Sequence, residues 1–130
     1  MEFVTFEIAK KLKEKGFREK CFATYDKDGM LGYNYYQTNI VRAFSFEECM
    51  GVHDSNDNCI DVPTISQVLK WLREEKEIMF EVPITLTDDG IWKFTFRIQT
   101  KEFYDRSNYE WDTYEKSALA GIKHVLENLI

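Results

Sequence analysis

The hydrophobic positions of this chain repeat with a helical period in three stretches of the sequence. Apolar side chains recur there every three to four residues, which places them on one face of a helix. Ile65, Val68 and Leu72 are typical of this spacing. The pattern predicts three helices, over residues 6–15, 65–76 and 114–129.

Residues that favour helix ends stand at the borders of these stretches. Thr5 is a good N-cap for the first helix, and Gly16 suits its C-terminal end. Thr64 and Gln67 have the spacing of a capping box before the second helix. Asp112 and Thr113 are equally placed to cap the last helix.

Two other stretches predict β-hairpins. Asp26-Lys27-Asp28-Gly29 separates two aromatic-rich runs and fits a tight turn. Residues 78–86 and 92–98 alternate apolar and polar side chains on either side of Asp88-Asp89-Gly90. Pro83 has no N–H group, so its strand is expected to be bulged or to lie at a sheet edge.

The order of these elements is α-β-β-(α)-α-β-β-α, where the bracketed element is a short turn at residues 45–51. This order predicts an α+β fold with an antiparallel four-stranded sheet, built from the two hairpins, and helices packed on one face. We expect residues 1–130 to form a single domain, as its length suggests. Large aromatic residues are expected to be buried between sheet and helices, among them Phe80, Trp92, Phe94 and Phe96.

Composition and charge narrow the class of protein. The net charge is −6, which disfavours nucleic acid as a principal partner. The N-terminus does not resemble a signal peptide, and no apolar run is long enough to span a membrane. Three cysteines, an odd number, are typical of free thiols in a reducing compartment, so we expect a cytoplasmic protein.

Several segments resemble a family of small proteins of unknown function from gut Bacteroidetes and their phages. The resemblance lies in VPTISQVLKWLREEKEI at 62–78, in TYEKSALAGIKHVLENLI at 113–130, and in FVTFEIAKKLKEKGF followed by CFATY near the N-terminus. It implies an accessory protein of a phage or mobile element that acts inside a bacterial host. It implies no activity, cofactor or catalytic residue.

One loop gathers residues with possible metal or thiol chemistry. Cys49, His53 and Cys59 could be zinc ligands, although their spacing matches no familiar zinc motif. Cys49 and His53 could instead form a nucleophilic pair, or all three residues could belong to an ordinary solvated loop. The sequence contains no recognisable catalytic motif, so we expect a protein that is not an enzyme and needs no cofactor or metal.

The most suggestive feature is an acidic segment from Phe44 to Val62, which contains five acidic residues and no Lys or Arg. We expect a protein-interaction module whose partner, not yet identified, could be a second copy of the chain. In one version of this hypothesis the acidic segment imitates DNA and inhibits a host protein. The candidate contact residues are Phe44, Phe46, Glu47, Glu48, Asp54 and Asp57, with an aromatic patch at Tyr104, Tyr109 and Trp111.

Two other interpretations of the aromatic residues stay open. Tyr33, Tyr35 and Tyr36 could stack on the bases of single-stranded nucleic acid. The rings of the aromatic patch could also serve only to cover the edge or the second face of the sheet.

Overall fold

The computed structural model describes residues 2–33 and 59–130, which form an α+β structure. The described part divides into two compact units, Phe3–Thr64 and Ile65–Ile130. The single domain expected from the sequence stays a prediction. The elements in chain order are α1 (Phe6–Glu14), β1 (Ala23–Tyr25), β2 (Leu31–Tyr33), β3 (Ile60–Val62), α2 (Ile65–Glu75), β4 (Met79–Glu81), β5 (Ile84–Leu86), β6 (Trp92–Phe94), β7 (Arg97–Gln99), β8 (Tyr104–Arg106) and α3 (Tyr114–Asn128).

Both ends of α1 form as the sequence predicts. The Ile8 N–H donates to Thr5 Oγ1 at 3.3 Å, which caps the N-terminus. At the other end Gly16 has a φ of +91°, and the Phe17 N–H donates back to the Leu12 carbonyl at 3.0 Å. This left-handed ending favours glycine, because a side chain there would be strained.

The first unit contains a three-stranded antiparallel sheet in the order β2-β1-β3. The predicted turn between β1 and β2 is confirmed: Asp26 Oδ1 accepts hydrogen bonds from the Asp28 and Met30 N–H groups at 2.8 and 3.0 Å. The third strand, β3, pairs with β1 and was not predicted. Its central residue is the acidic Asp61, which does not favour a strand, whereas the equally short β1 and β2 flank the recognisable turn at Asp26.

The second hairpin, residues 79–99, is one long antiparallel ladder although β4 and β5 are separate elements. Met79 pairs with Gln99 and Leu86 with Trp92, so the register is the same at both ends. The break falls at Pro83, whose carbonyl accepts the Thr95 N–H at 3.0 Å but which has no N–H to donate in return. Pro83 therefore interrupts the ladder without shifting it, and its strand is at the sheet edge, as one of the two expectations had it.

The polar, aromatic segment after this hairpin supplies a third strand. β8 pairs with β7, so that the sheet order is β4-β7-β8. Further along, Trp111 and Phe94 exchange two backbone hydrogen bonds of 2.8 Å. Residues 104–111 thus lie along most of the second strand of the hairpin, residues 92–99. This pairing was not predicted from the sequence.

Helix α3 crosses one face of this sheet at close range. A Cβ atom on Gly121 would overlap the Phe80 ring and lie 2.9 Å from Cγ of Phe96. His124 Nε2 lies 3.1 Å from Asp105 Oδ2, which ties the helix to β8. The core of this unit combines this face with the buried side of α2, including Leu72 and Ile98.

The structure confirms an α+β fold with antiparallel strands, but not the predicted single four-stranded sheet. The two hairpins lie in separate sheets among the described residues, because each pairs with a strand from the segment that follows it. β3 occupies the free edge of β1, and β8 occupies the free edge of β7. The predicted short turn at 45–51 lies outside the described residues.

Candidate functional site

At its outer end, near the turn at residues 88–90, the second hairpin exposes the apolar face of the sheet. Elsewhere this face is buried or half-buried. Ile84, Leu86 and Trp92 lie on the same face as Phe94 and Phe96, since residues two apart share a face. They are 52%, 57% and 57% exposed, whereas Phe96 is 6% exposed. We call Ile84, Leu86 and Trp92 the hairpin-end surface.

This surface is exposed because α3 begins too late in the chain to cover it. The Tyr114 ring, on the first residue of the helix, meets the Phe94 ring edge to face at 6.5 Å. The helix then runs over Phe96 and Phe80. Trp92 lies beyond its first turn, so the expectation that Trp92 is buried against the helices is wrong.

The first strand of the second hairpin has unpaired backbone groups along its outer edge. The Thr95 N–H bonds to the Pro83 carbonyl and the Thr87 N–H to the Ile91 carbonyl. In an antiparallel ladder, this places the C=O group of Pro83 and the N–H and C=O groups of Thr85 and Thr87 towards the partner strand. The groups of Val82, Ile84 and Leu86 therefore point outwards, and none of them bonds to another residue of the described segments.

Charge along this strand has one sign. The sequence from Glu77 to Trp92 contains four acidic residues and no lysine or arginine. Glu81 forms an ion pair with Arg97 at 2.8 Å and Glu77 one with Lys101 at 3.4 Å. Asp88 and Asp89 are exposed at the turn beside the hairpin-end surface, and neither has a charged partner within the described residues.

The opposite face of the sheet has a different character. Glu81, Arg97 and Arg106 form one row across β4, β7 and β8. Met79, Gln99 and Tyr104 form the next row and line a shallow depression of about 100 Å³. This face is polar and mixed in charge, so it lacks the apolar continuity of the hairpin-end surface.

The aromatic patch predicted from the sequence is divided between these two faces. Tyr104 is exposed and lies on the polar face, paired with Gln99. Trp111 stacks on Phe96 with ring centroids 5.6 Å apart, on the helix-covered face. Tyr109 lies 5.6 Å from Trp111 and is 71% exposed. The structure thus brings Tyr109 and Trp111 together and separates them from Tyr104.

The remaining predicted contact residues lie outside the described residues, namely Phe44, Phe46, Glu47, Glu48, Asp54 and Asp57. Cys49 and His53 also lie outside them, so their arrangement with Cys59 stays a hypothesis. Within residues 2–33 and 59–130, no cluster of three His, Cys, Asp or Glu side chains could hold a metal ion.

Cys21 is a buried thiol with no sign of reactivity. Burial raises its pKa far above the ordinary value of a thiol, and the nearby Asp61 and Glu19 raise the pKa further. Its Sγ lies 3.5 Å from the Glu19 carbonyl oxygen. A thiol that is neutral and inaccessible is a poor nucleophile, so Cys21 is a core residue.

The hairpin-end surface was missed in the sequence because alternation reports which face is apolar but not what covers it. No local signal marks this surface, because the pairing of Trp111 with Phe94 and the start of α3 at Tyr114 decide which part of the hairpin is covered.

Comparisons with known protein families, with curated proteins and with solved structures found no match to this chain. Within the described segments, no helix is both long and apolar enough to cross a lipid bilayer.

Proposed function

We propose that this protein is a non-enzymatic interaction module that binds another protein through its hairpin-end surface. The observation that carries the proposal is the exposure of Ile84, Leu86 and Trp92 on one face of a regular hairpin. Large apolar side chains grouped in this way are typical of interaction sites. Tryptophan is also among the residues that contribute most to binding energy at protein interfaces.

The surroundings of this surface support a binding role over a purely structural one. The hairpin needs no apolar side chains at its end for folding, because its register is already fixed by the covered half. Exposed apolar residues on an edge strand also carry a risk of aggregation. A functional contact accounts for their presence here.

The acidic partner-binding segment expected from the sequence, Phe44–Val62, is a different part of the chain and remains a separate proposal. Beside the hairpin-end surface, the exposed Asp88 and Asp89 favour a basic partner. A cytoplasmic setting in a bacterial host, and inhibition of a host protein by an acidic surface, remain parts of the proposal that rest on the sequence alone. Binding of single-stranded nucleic acid through Tyr33, Tyr35 and Tyr36 remains the alternative proposal, and the net charge of −6 disfavours it.

Site-specific photo-crosslinking tests the proposal. A benzophenone amino acid is placed at position 92, and in a control protein at the exposed Glu74 on α2. In lysate from cells that express the protein, we expect a discrete adduct at position 92 alone, identified by mass spectrometry. Leu86→Asp should abolish it without changing the melting temperature. Equal crosslinking at both positions, or an adduct insensitive to Leu86→Asp, would contradict the proposal.

A further inference from the structure

We infer that the outer edge of residues 82–86 binds an extended segment of the partner, which adds a strand to the hairpin. The segment is expected to carry apolar side chains at alternate positions and lysine or arginine at its ends. This inference deepens the proposed function and rests on it, since it specifies how the partner binds beside the hairpin-end surface.

The outer edge of residues 82–86 has open backbone hydrogen-bonding groups. Val82, Ile84 and Leu86 direct three N–H and three C=O groups away from the hairpin, with no acceptor or donor in the described part of the chain. Strand addition satisfies such groups with the backbone of the partner. Pro83 does not obstruct this edge, because its missing N–H belongs to the inner side of the ladder.

The side chains at this edge restrict the sequence of the partner segment. In a strand added to this edge, alternate side chains would extend the apolar face of Ile84 and Leu86. The side chains between them would lie beside Thr85 on the other face. The partner segment must therefore alternate apolar and polar residues over about five positions, the length of the open edge.

The acidic residues of the strand favour a basic partner segment over a second copy of the chain. Natural edge strands often carry lysine, which hinders pairing with another strand. Residues 77–92 contain no lysine or arginine; Glu81 is paired with Arg97, whereas Asp88 and Asp89 at the end of the open edge have no charged partner among the described residues. A second copy of the chain would pair two such edges. Pairing about Ile84 would place Glu81 diagonal to Asp89 of the other copy, so like charges would approach one another twice. A basic segment has complementary charge.

The test uses the synthetic peptide KVTVTVK, titrated to about 1 mM into the full chain, with amide hydrogen exchange as the readout. Its three valines match the apolar face, and its lysines match the acidic ends of the strand. We expect the Val82, Ile84 and Leu86 amides to exchange at least about tenfold more slowly with bound peptide. Exchange at Glu74 on α2 should not change.

Three control peptides make the result specific. One version is N-methylated on its valines and another on its inner threonines. Only alternate amides of an added strand face the edge, so one version should lose at least about tenfold in affinity and the other should not. The peptide EVTVTVE should bind more weakly, and the difference should shrink as salt is raised.

The outcomes separate this inference from the proposed function. Loss of binding in both N-methylated peptides or in neither, or binding that leaves the three amides unprotected, would overturn strand addition. No binding at millimolar peptide would also overturn it. If the crosslinked partner at position 92 still depends on Leu86 in those cases, the interaction module stands and the partner docks on the face.

Discussion

The two halves of the second hairpin share one register and one alternation, yet they differ in burial. In the half near the sheet centre, Ile98 is fully buried and Phe80 lies directly beneath Gly121. In the outer half, Leu86 and Trp92 occupy equivalent positions and are more than half exposed. The difference arises from the helix layer, because α3 begins at Tyr114 above Phe94 and covers nothing beyond it.

The comparison shows that an apolar stripe on a strand has two possible uses. Where a helix covers it, the stripe contributes to folding through the hydrophobic effect. Where no helix covers it, the same side chains contribute little to stability and are available to another protein. Substitutions in the covered and uncovered regions should therefore have different effects on stability and binding.

A charge placed in each region should separate folding from binding. Leu72 in α2 is fully buried, so Leu72→Asp should prevent folding because the carboxylate would be buried without a partner. Leu86→Asp should change the free energy of unfolding by about 0.5 kcal/mol or less. Circular dichroism and thermal melting of both variants provide the measurement. Similar losses of stability would show that the outer half belongs to the core.

The close approach of α3 can be tested at Gly121. Gly121→Ala places a methyl group against the Phe80 and Phe96 rings, and should destabilise the protein by about 1–3 kcal/mol through overpacking. Urea unfolding measures this loss. Combining it with Phe80→Leu, which makes room for the methyl group, should recover part of the loss. A stabilising effect of Gly121→Ala alone would mean that the helix lies farther from the sheet.

The start of α3 can be loosened through its cap. The Lys116 N–H donates to Thr113 Oγ1 at 3.1 Å, and Thr113→Ala should cost about 0.5–2 kcal/mol. Because the first turn covers Phe94, the variant should also extend the exposed part of the hairpin, seen as faster amide exchange at residues 114–117. Thr5→Ala, which removes the corresponding cap of α1, serves as the control. Unchanged exchange at 114–117 would argue that packing, not the cap, defines the helix start.

Lowering the pH should have the smallest effect at the N-terminus of α3. The hydrogen bond from Lys116 lowers the pKa of Asp112 below its ordinary value of about 3.8, with the Lys116 charge acting in the same direction. The folded state therefore favours the carboxylate, and its small stabilising effect is present above the unfolded pKa and lost as pH falls through the lowered one. The difference in urea midpoint between the wild type and Asp112→Asn should shrink between pH 6 and about pH 2. A difference in urea midpoint that does not change with pH would contradict a stabilising ion pair between Asp112 and Lys116.

Much of the fold could be predicted because short-range signals decide it. The three helices, the cap at Thr5 and the turn at Asp26 depend on residues within a few positions of one another. The burial of the Cys21 thiol depends on tertiary contacts. So does the position along the hairpin at which the helix stops covering the sheet. No local pattern contains that information.

The strands that were missed have a common physical reason. Among the strands of the described residues, β3 and β8 are the two with an acidic residue at the centre, Asp61 and Asp105. They form because an adjacent strand edge is available, not because their own sequence favours a strand. The same dependence on neighbours hid the hairpin-end surface, since the surface is left uncovered by a helix that begins only at Tyr114, above Phe94.

Amide hydrogen exchange along residues 81–87 of the free protein shows whether the outer half of the hairpin is folded with an open edge. We expect slow exchange at Glu81, Thr85 and Thr87, whose N–H groups face the partner strand, and fast exchange at Val82, Ile84 and Leu86. This alternation would demonstrate a folded hairpin with an open edge. Uniformly fast exchange would mean that the outer half is not formed, and slow exchange at Val82, Ile84 and Leu86 would mean that the edge is already occupied. Either result would contradict a folded hairpin whose outer edge at residues 82–86 is open.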